Sequence, residues 1–258
     1  MINSGHPNPG INTLKQARSL QTKKYRYKDR QFLIEGSLPL EEALKSGYHI
    51  RKIFYSPRIL EKPGIRNLLD KAAEKDDTAC FEVTQSDLKN ISSEVNPQGI
   101  CAIADMKSFN AQDLSGNILI LDGIQDPGNM GTLIRIAHWF GLGGLILMGG
   151  NVDVANPKTV RSSMGSFFFL PYIYCDNLTS SVLGERKCLV SRVHGGLPVR
   201  EYKKSGLFAL VIGNEARGIQ SDFSKFDPID ITLPRPGGAE SLNAASAAAA
   251  LLSVIICT

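Results

Sequence analysis

Three polar segments in the second half of the chain each follow directly on an apolar run. They are residues 126–135 (DPGNMGTLIR), 213–218 (GNEARG) and 233–243 (LPRPGGAESLN). Together they offer amides, carboxylates, hydroxyls and guanidinium groups, which can bind a polar substrate, orient it and accept or donate a proton. Ligands of open α/β sheets bind at the carboxyl ends of the strands, where such loops begin. The three segments therefore predict a single site at one edge of a parallel sheet.

Five side chains in these segments are the candidates for catalysis: Asn129, Arg135, Glu215, Ser241 and Asn243. The planar, charged fork of Arg135 suits a phosphate or a carboxylate. Glu215 can accept hydrogen bonds from a substrate or hold a catalytic group in place. Purely structural roles are the alternative for several of these residues. Asn129 can cap a helix next to a salt-bridged Arg135, Glu215 can cap its turn, and Ser241 can be the N-cap of the last helix.

The elements that must position these residues begin near residue 117, where buried strands alternate with helices. Continuous apolar runs of this length predict a parallel sheet covered on both faces. Proline after an asparagine cap, as in Asn156-Pro157, is typical of a helix start. The predicted strands are 118–121, 145–148, 187–190, 208–212 and 229–233, and the predicted helices are 131–140, 157–164 and 241–257.

The first part of the chain predicts a separate and smaller α/β domain. Its predicted helices are 12–25, 38–46 and 65–75, and its predicted strands are 31–34, 50–55, 80–84 and 100–106. A polar stretch with a glycine near its end is typical of a linker. The sequence thus predicts a first domain at 1–106, a linker at 107–117 and a second domain at 118–258.

The net charge of +4 is distributed unevenly along the chain. Residues 1–110 hold 17 Lys and Arg against 13 Asp and Glu, whereas residues 111–258 hold 12 of each. Tyr25 and Tyr27 lie within the most basic stretch, and interleaved basic and aromatic residues suit a phosphate backbone with exposed bases. A solvated helix face is the structural alternative. The candidates for nucleic-acid binding are Lys15, Arg18, Lys23, Lys24, Arg26, Lys28 and Arg30.

Several other classes of protein lack support in the sequence. No apolar run reaches the roughly 18 residues that span a bilayer, and the N-terminus lacks the apolar region of a secretory signal. We therefore expect a cytoplasmic protein without a membrane partner. Five cysteines without CxxC spacing predict reduced thiols, and the four histidines have no metal spacing, so we expect no metal site. Dinucleotide, Walker and Gly-x-Ser-x-Gly motifs are absent from the sequence.

In order and spacing, the three polar segments resemble the signature motifs of the SpoU/TrmH family of RNA ribose 2′-O-methyltransferases, of the SPOUT class. The resemblance covers about 118–256. Residues 15–36, continuing into 50–54, resemble the substrate-binding domain that is often attached in this family. That domain has a fold like ribosomal protein L30e and binds RNA. The implied fold is a parallel-sheet SPOUT domain with a C-terminal trefoil knot, preceded by a small α/β L30e-like domain.

The resemblance also implies a cofactor, a site and an oligomeric state. The methyl donor would be S-adenosylmethionine, held by Gly213, Leu233 and Leu242, with Gly195 as a weaker candidate. Members of the family form homodimers through the C-terminal domain, with the site near the interface, and the resemblance implies the same for this chain. By the same resemblance, the catalytic residues would be the five candidates in the polar segments.

The role of the arginine is open between two possibilities. The family assigns Arg135 as general base, although a guanidinium rarely gives up its proton in proteins. Arg135 can equally bind the target phosphate and orient the ribose hydroxyl, while the proton leaves to phosphate or water. Ser241 and Asn243 would then orient Arg135 or the ribose, and Glu215 would steady its loop.

The leading functional hypothesis is S-adenosylmethionine-dependent 2′-O-methylation of ribosomal RNA. The appended N-terminal domain favours rRNA over tRNA by analogy, so a tRNA methyltransferase is the first alternative. A non-catalytic RNA-binding dimer that keeps the fold is the second, and the intact set of polar candidates argues against it. A small-molecule α/β enzyme has no supporting cofactor motif and leaves the basic segment without a role.

Overall fold

A computed structural model of the chain describes residues 8–74 and 78–257. The strands of these residues are β1 (Gln31–Glu35), β2 (Ile50–Tyr55), β3 (Ala79–Glu82), β4 (Ile100–Asp105), β5 (Ile118–Asp122), β6 (Leu145–Leu147), β7 (Tyr172–Tyr174), β8 (Lys187–Arg192), β9 (Leu197–Pro198), β10 (Phe208–Gly213) and β11 (Ile229–Thr232). The α-helices are α1 (Ile11–Ser19), α2 (Lys23–Asp29), α3 (Ser37–Lys45), α4 (Ile65–Glu74), α5 (Gln85–Ile91), α6 (Pro127–Trp139), α7 (Pro157–Ser162), α8 (Ser180–Leu183) and α9 (Ala244–Cys257).

Contacts between Cα atoms divide the chain into two compact units. Unit 1 comprises residues 1–108 and 153–168, and unit 2 comprises residues 109–152 and 169–258. The chain first crosses from unit 1 to unit 2 between residues 108 and 109, and the predicted domain bounds stay a prediction. The prediction does not anticipate the segment 153–168, which includes α7 and groups with the N-terminal unit. The predicted helix end at Lys75, and residues 1–7 and 258 of the predicted domains, lie outside the described residues.

Unit 1 is built on a four-stranded mixed sheet in the order β1-β4-β2-β3. β4 runs antiparallel to both of its neighbours, and β2 and β3 run parallel. Leu33, Phe54 and Ile103 on this sheet are fully buried and pack in one cluster with Ala17 and Leu20. The core of this unit is therefore formed by the same apolar positions from which α1, β1, β2 and β4 were predicted.

The helix predicted at 12–25 is wrong, because the chain breaks at residues 20–22 into α1 and α2. Thr22 is extended, with φ −97° and ψ 130°. The Arg26 guanidinium donates to the carbonyl oxygens of Leu20 and Gln21, each at 2.8 Å. These carbonyls are satisfied without a further turn of helix, so the helix can end there.

Arg26 must also be withdrawn from the predicted nucleic-acid contacts, because only 2% of it is exposed. Its Nε and Nη2 donate to one carboxylate oxygen of Asp153, at 2.8 and 2.5 Å. Tyr27 and the backbone N–H of Ala155 donate to the other oxygen, each at 3.1 Å. A guanidinium held this way inside unit 1 cannot meet a phosphate.

We expect Arg26→Ala to destabilise unit 1 strongly, by about 3–5 kcal/mol, because it leaves the buried Asp153 carboxylate without its counter-ion. The double variant Arg26→Met with Asp153→Leu should recover most of that loss, since neither charge is then buried alone. Arg18→Ala is the control, because Arg18 is an exposed arginine of the same segment. Urea unfolding followed by circular dichroism measures all three. A loss for Arg26→Ala no larger than for Arg18→Ala would contradict the structural role.

Unit 2 contains a seven-stranded sheet in the order β7-β6-β5-β10-β8-β11-β9, and every neighbouring pair is parallel. The five strands predicted in this region are confirmed, with ends that differ by at most two residues. The sequence did not predict β7 and β9, which are short edge strands of three and two residues and are at most half-buried. Strands β5, β10 and β11 bring their carboxyl ends to one edge of the sheet, where the three polar segments begin.

Among the described residues, no helix is both long enough and apolar enough to cross a bilayer. The most apolar helix, α9, has 14 residues. Ala244, Ala248, Leu252 and Ile255 are among its buried residues. The alanine-rich segment therefore forms a packed helix of unit 2.

Candidate active site

The first polar segment begins helix α6 two residues before Asn129. Asp126 is the N-cap, since its side-chain oxygen accepts the backbone N–H of Asn129 at 2.8 Å. Pro127 occupies the first helical position, where no N–H is needed. The suggestion that Asn129 caps this helix is therefore wrong. Its side chain is free of the capping role and is used elsewhere.

Arg135 lies two turns further along α6, on the exposed side of the helix. Its guanidinium makes no hydrogen bond or ion pair with any described residue. The suggested salt bridge to the sheet edge is therefore not formed. Buried Leu133 and Ile134 beside it anchor α6 to the rest of unit 2. The guanidinium is thus carried on a fixed helix with its donors free for a ligand.

Three of the five candidate side chains are joined in one hydrogen-bonded chain. The Asn129 Nδ2 donates to Glu215 Oε1 at 2.5 Å. The Asn243 Nδ2 donates to Asn129 Oδ1 at 2.9 Å. These residues come from the three different polar segments, 86 and 114 positions apart in sequence. The predicted convergence of the segments is therefore observed for these three residues.

The third segment ends in the N-cap of helix α9, which was predicted to be Ser241 and is Asn243. α9 begins at Ala244, and Asn243 Oδ1 accepts the backbone N–H groups of Ala245 and Ser246, at 3.0 and 3.3 Å. Ser241 is therefore not the N-cap. Asn243 instead uses its oxygen for the helix and its NH₂ for Asn129, which fixes the orientation of both amides. Ser241 lies exposed before the helix and lines the cavity described below.

The second segment is a tight loop that closes on itself. The backbones of Asn214 and Gly218 pair through reciprocal N–H···O bonds of 3.0 and 2.9 Å. The Asn214 side chain accepts from the N–H groups of Ala216 and Arg217 and donates to the carbonyl of Gly123. A methyl group on Gly213 would lie 2.5 Å from the Gly218 carbonyl carbon. Only glycine therefore fits at position 213.

Two further polar residues hold the loops around the site, and neither was among the residues predicted from the sequence. Asp122, at the end of β5, is 2% exposed and accepts hydrogen bonds from the N–H groups of Gln220 and Ser221. Asn151 donates to the carbonyls of Leu121 and Met148. An aspartate that ends an apolar strand was a usable signal for Asp122. Nothing comparable marked Asn151, which lies in an ordinary glycine-rich turn.

A cavity of about 330 Å³ opens at the carboxyl ends of β8, β10 and β11. Gly213, Leu233 and Leu242 line it, together with Glu215 and Ser241. Leu242 is 54% exposed, so it offers apolar surface to a ligand. Gly195, the weaker candidate, does not line this cavity, although the neighbouring Val193 does. Asn129, Arg135 and Asn243 lie outside its lining. Asn129 is bonded to Glu215 of the lining, and Asn243 is bonded to Asn129, whereas no hydrogen bond or ion pair among the described residues joins Arg135 to the cavity.

Thiol chemistry has no support at this site. Cys188 is a fully buried residue of β8, and burial raises the pKa of its thiol to about 11. Burial likewise raises the pKa of Cys175. These two thiols of unit 2 therefore stay protonated and unreactive at neutral pH. In the described ranges, no group of three or more His, Cys, Asp or Glu residues is arranged to hold a metal ion.

Two family descriptions match the chain. The SpoU rRNA Methylase family matches residues 116–253, which is more than half of the chain. The MRM3-like substrate binding domain matches residues 12–102. The chain belongs to the SpoU rRNA methylase family.

Individual relatives of this SpoU methylase match over almost its whole length. The 23S rRNA (guanosine(2553)-2′-O)-methyltransferase RlmP of Bacillus subtilis is 34% identical, over 93% of this chain and 94% of the relative. The structure of the SpoU methyltransferase AviRb from Streptomyces viridochromogenes with AdoMet has a TM-score of 0.84 and 25% identity, covering 96% of this chain and 98% of that one. The AdoMet-bound rRNA methyltransferase from Sinorhizobium meliloti has a TM-score of 0.83 and 26% identity, covering 95% of each chain.

The SpoU methylase is accordingly an S-adenosylmethionine-dependent RNA methyltransferase. The residues at the cavity suit this cofactor. Leu233 and Leu242 provide apolar walls that suit a flat base, and Gly213 lines the cavity where a larger residue would collide with the backbone of Gly218. The predicted α/β fold with a parallel sheet is confirmed.

Proposed function

We propose that this methylase transfers a methyl group to a ribose 2′-hydroxyl of ribosomal RNA. The hydrogen-bonded chain of Asn243, Asn129 and Glu215 carries the proposal, because it joins the three polar segments beside the cavity and leaves Arg135 free. RlmP, its relative, is named as a 23S rRNA 2′-O-methyltransferase. The matched substrate-binding domain supports RNA as the partner.

In this proposal Gly213, Leu233 and Leu242 hold S-adenosylmethionine, which supplies the methyl group. Arg135 binds the phosphate beside the target ribose, since its guanidinium has no partner within residues 8–74 and 78–257 and can form two parallel hydrogen bonds to phosphate oxygens. Held this way, the ribose hydroxyl points at the cavity. Its proton leaves to the phosphate or to water, because a guanidinium is a poor base.

The remaining candidates position these groups. Glu215 fixes the Asn129 amide, and Asn243 fixes it from the other side, so that Asn129 presents one orientation. Ser241, exposed at the rim of the cavity, can donate to the ribose. Fixed donors and acceptors of this kind lower the barrier because they need not reorganise during the reaction.

The experiment that tests this function is methyl transfer from radiolabelled S-adenosylmethionine to unmodified rRNA and tRNA, followed by nucleoside analysis. We expect a 2′-O-methylated nucleoside in rRNA. The same product in tRNA alone would replace the rRNA substrate by the tRNA alternative. A methylated base in place of a methylated ribose would contradict the reaction. If no cofactor binds in calorimetry, the non-catalytic alternative is favoured.

We further propose that α1 and α2 bind the RNA backbone. Six of the seven predicted cations remain exposed: Lys15, Arg18, Lys23, Lys24, Lys28 and Arg30. Lys23 lies 5.5 Å from the ring centre of Tyr27, and Lys24 lies 5.9 Å from that of Tyr25. Each tyrosine is 39% exposed. Cations beside exposed rings suit both the phosphates and the bases of unpaired RNA.

Lys23→Gln with Lys24→Gln should weaken RNA binding and make it less dependent on salt. Each lost phosphate contact lowers the slope of log affinity against log salt by roughly 0.7–0.9. Filter binding of an rRNA transcript at several salt concentrations measures the slope. Lys89→Gln is the control, because Lys89 is exposed on α5 of the same unit. Equal slopes for the control and the double variant would exclude Lys23 and Lys24 from the RNA contact.

The oligomeric state, the knot and the compartment complete the proposal. We propose a homodimer through unit 2, supported by the alanine-rich α9 and by Trp139, which is 82% exposed at the end of α6. A trefoil knot in residues 118–258 rests on family membership. A cytoplasmic location is supported by the five cysteines, all of which are free thiols. Light scattering of the purified protein tests the dimer.

A further inference from the structure

A second concave surface of unit 2 lies at the opposite edge of its sheet from the cofactor cavity. It is a groove of about 750 Å³ at the amino ends of β8 and β11 and beside the start of β10. Lys187 begins β8, Ile229 begins β11, and Leu207 precedes β10. We call this surface the basal groove. The proposed reaction does not use it.

The basal groove is more positive than the unit that contains it. Unit 2 as a whole has ten lysines and arginines against eleven aspartates and glutamates. The groove is lined by four cations and two carboxylates: Arg186, Lys187, Lys203, Lys225, Glu185 and Asp227. Lys204 adjoins the lining. The excess of cations at one concave site of a unit with net negative charge favours an anionic partner.

The cations of the groove differ in how far they are free to bind. The Arg186 guanidinium donates to the backbone carbonyls of Leu114, Leu183 and Gly116, so it stiffens the groove. Lys187 pairs with the Asp227 carboxylate at 3.1 Å, and that carboxylate is 97% exposed.

Two lysines remain available to a ligand. Lys225 lies 5.1 Å from the ring centre of Phe226. Lys203 makes no hydrogen bond or ion pair with any described residue. Both are exposed. Each can therefore bind a phosphate, at the moderate cost of the conformational entropy that its side chain loses on binding.

The groove is too far from the cavity to serve the reacting nucleotide. β8 has six residues and spans the sheet from Lys187 at the groove to Arg192 at the cavity. At about 3.3 Å per residue, the two sites lie roughly 17–20 Å apart. An RNA that contacts both sites must therefore have backbone that reaches this distance from the target nucleotide.

We propose that the basal groove is a second RNA site, in which Lys203 and Lys225 bind phosphates of the backbone remote from the methylated ribose. The inference rests on the proposed RNA substrate and extends it: the enzyme would recognise a structured segment of RNA. Phosphate contacts position a nucleic acid without reading its bases. The groove therefore contributes affinity and fixes the position of the RNA, whereas the target base is selected by contacts outside the groove.

The test compares the double variant Lys203→Gln with Lys225→Gln against Arg200→Gln. Arg200 is exposed three residues from Lys203 and does not line the groove, so its loss changes the charge without touching the site. The probe is an unmodified 23S rRNA transcript, measured by filter binding across a salt titration. We expect the double variant to lower the slope of log affinity against log salt by roughly 1.4–1.8, and affinity at low salt to fall roughly tenfold. Arg200→Gln should match the wild type.

Two further measurements separate this proposal from the proposed function. Calorimetry with S-adenosylmethionine should give the same affinity for all three proteins, which shows that they are folded. The slope is a binding measurement, so it is informative even if no methyl is transferred. Slopes equal to the wild type would overturn the proposal. Binding of inorganic tripolyphosphate that the double variant abolishes, with RNA slopes unchanged, would overturn it in favour of a small-anion site.

Discussion

Arg135→Ala should reduce methyl transfer by roughly 100- to 1,000-fold, the effect of removing one fixed electrostatic donor from a reaction centre. The reason is the unusual position of this arginine. It is exposed on α6, it has no partner among the described residues, and the helix that carries it is anchored by buried Leu133 and Ile134. A surface arginine with no partner contributes little to stability. The loss should therefore fall on activity while the unfolding transition stays near that of the wild type.

The measurement separates the two roles open to Arg135. Single-turnover methyl transfer at saturating RNA reports the chemical step, and filter binding reports the affinity for RNA. If Arg135 binds the target phosphate, Arg135→Ala weakens RNA binding and slows turnover together. If the variant binds RNA normally and fails only in turnover, positioning through phosphate binding is wrong. Arg200→Ala removes an equally exposed arginine of unit 2 and should leave both quantities unchanged.

Gly213→Ala should abolish tight binding of S-adenosylmethionine, with an affinity loss of about 100-fold or more. The added methyl would lie 2.5 Å from the carbonyl carbon and 2.6 Å from the carbonyl oxygen of Gly218. These are backbone atoms held by the Asn214–Gly218 pairing, so the loop itself must move. Displacing it shifts Glu215 and disturbs the hydrogen bond to Asn129. Overpacking of this kind also costs about 1–3 kcal/mol of stability.

Gly238→Ala is the matched control for this substitution. It is the same chemical change in the neighbouring polar segment, but an added methyl meets nothing within 4 Å. Calorimetry with S-adenosylmethionine measures both variants, and thermal unfolding shows whether each is folded. Equal affinities for the two variants would contradict the role assigned to the loop.

The fold of unit 2 was predictable because its central strands are continuous apolar runs that end in polar loops. Strands β5, β8 and β10 are buried on both faces, so burial and sequence pattern coincide. The edge strands β7 and β9 have only three and two residues, and β7 lies within the longer apolar stretch of residues 167–175, so neither strand has a pattern of its own. The segment 153–168 was also beyond prediction, since its membership of unit 1 depends on long-range contacts such as Arg26 with Asp153.

The candidate site was predictable in its residue types and less so in their roles. Asn129, Glu215 and Asn243 meet as expected, because loops at the carboxyl ends of parallel strands share one edge. The capping roles were assigned to the wrong residues. Asp126 and Asn243 cap the two helices, a choice that depends on where each helix begins and hence on packing. Asp122 and Asn151 hold the loops in place through hydrogen bonds to backbone groups. The position of Asp122 at the end of an apolar strand was a usable signal, whereas nothing in the sequence marked Asn151.

The path of the chain between the units limits how this enzyme can be divided or recombined. The backbone crosses from one unit to the other at residues 108–109, 152–153 and 168–169, three times instead of once. A cut in the polar stretch at 107–117 would strip Asp153 and Arg161 from the buried groups they satisfy, Arg26 and Glu35. A chimera that exchanges the MRM3-like substrate-binding unit between relatives must therefore carry residues 153–168 with it. In this protein the graftable module is discontinuous in sequence.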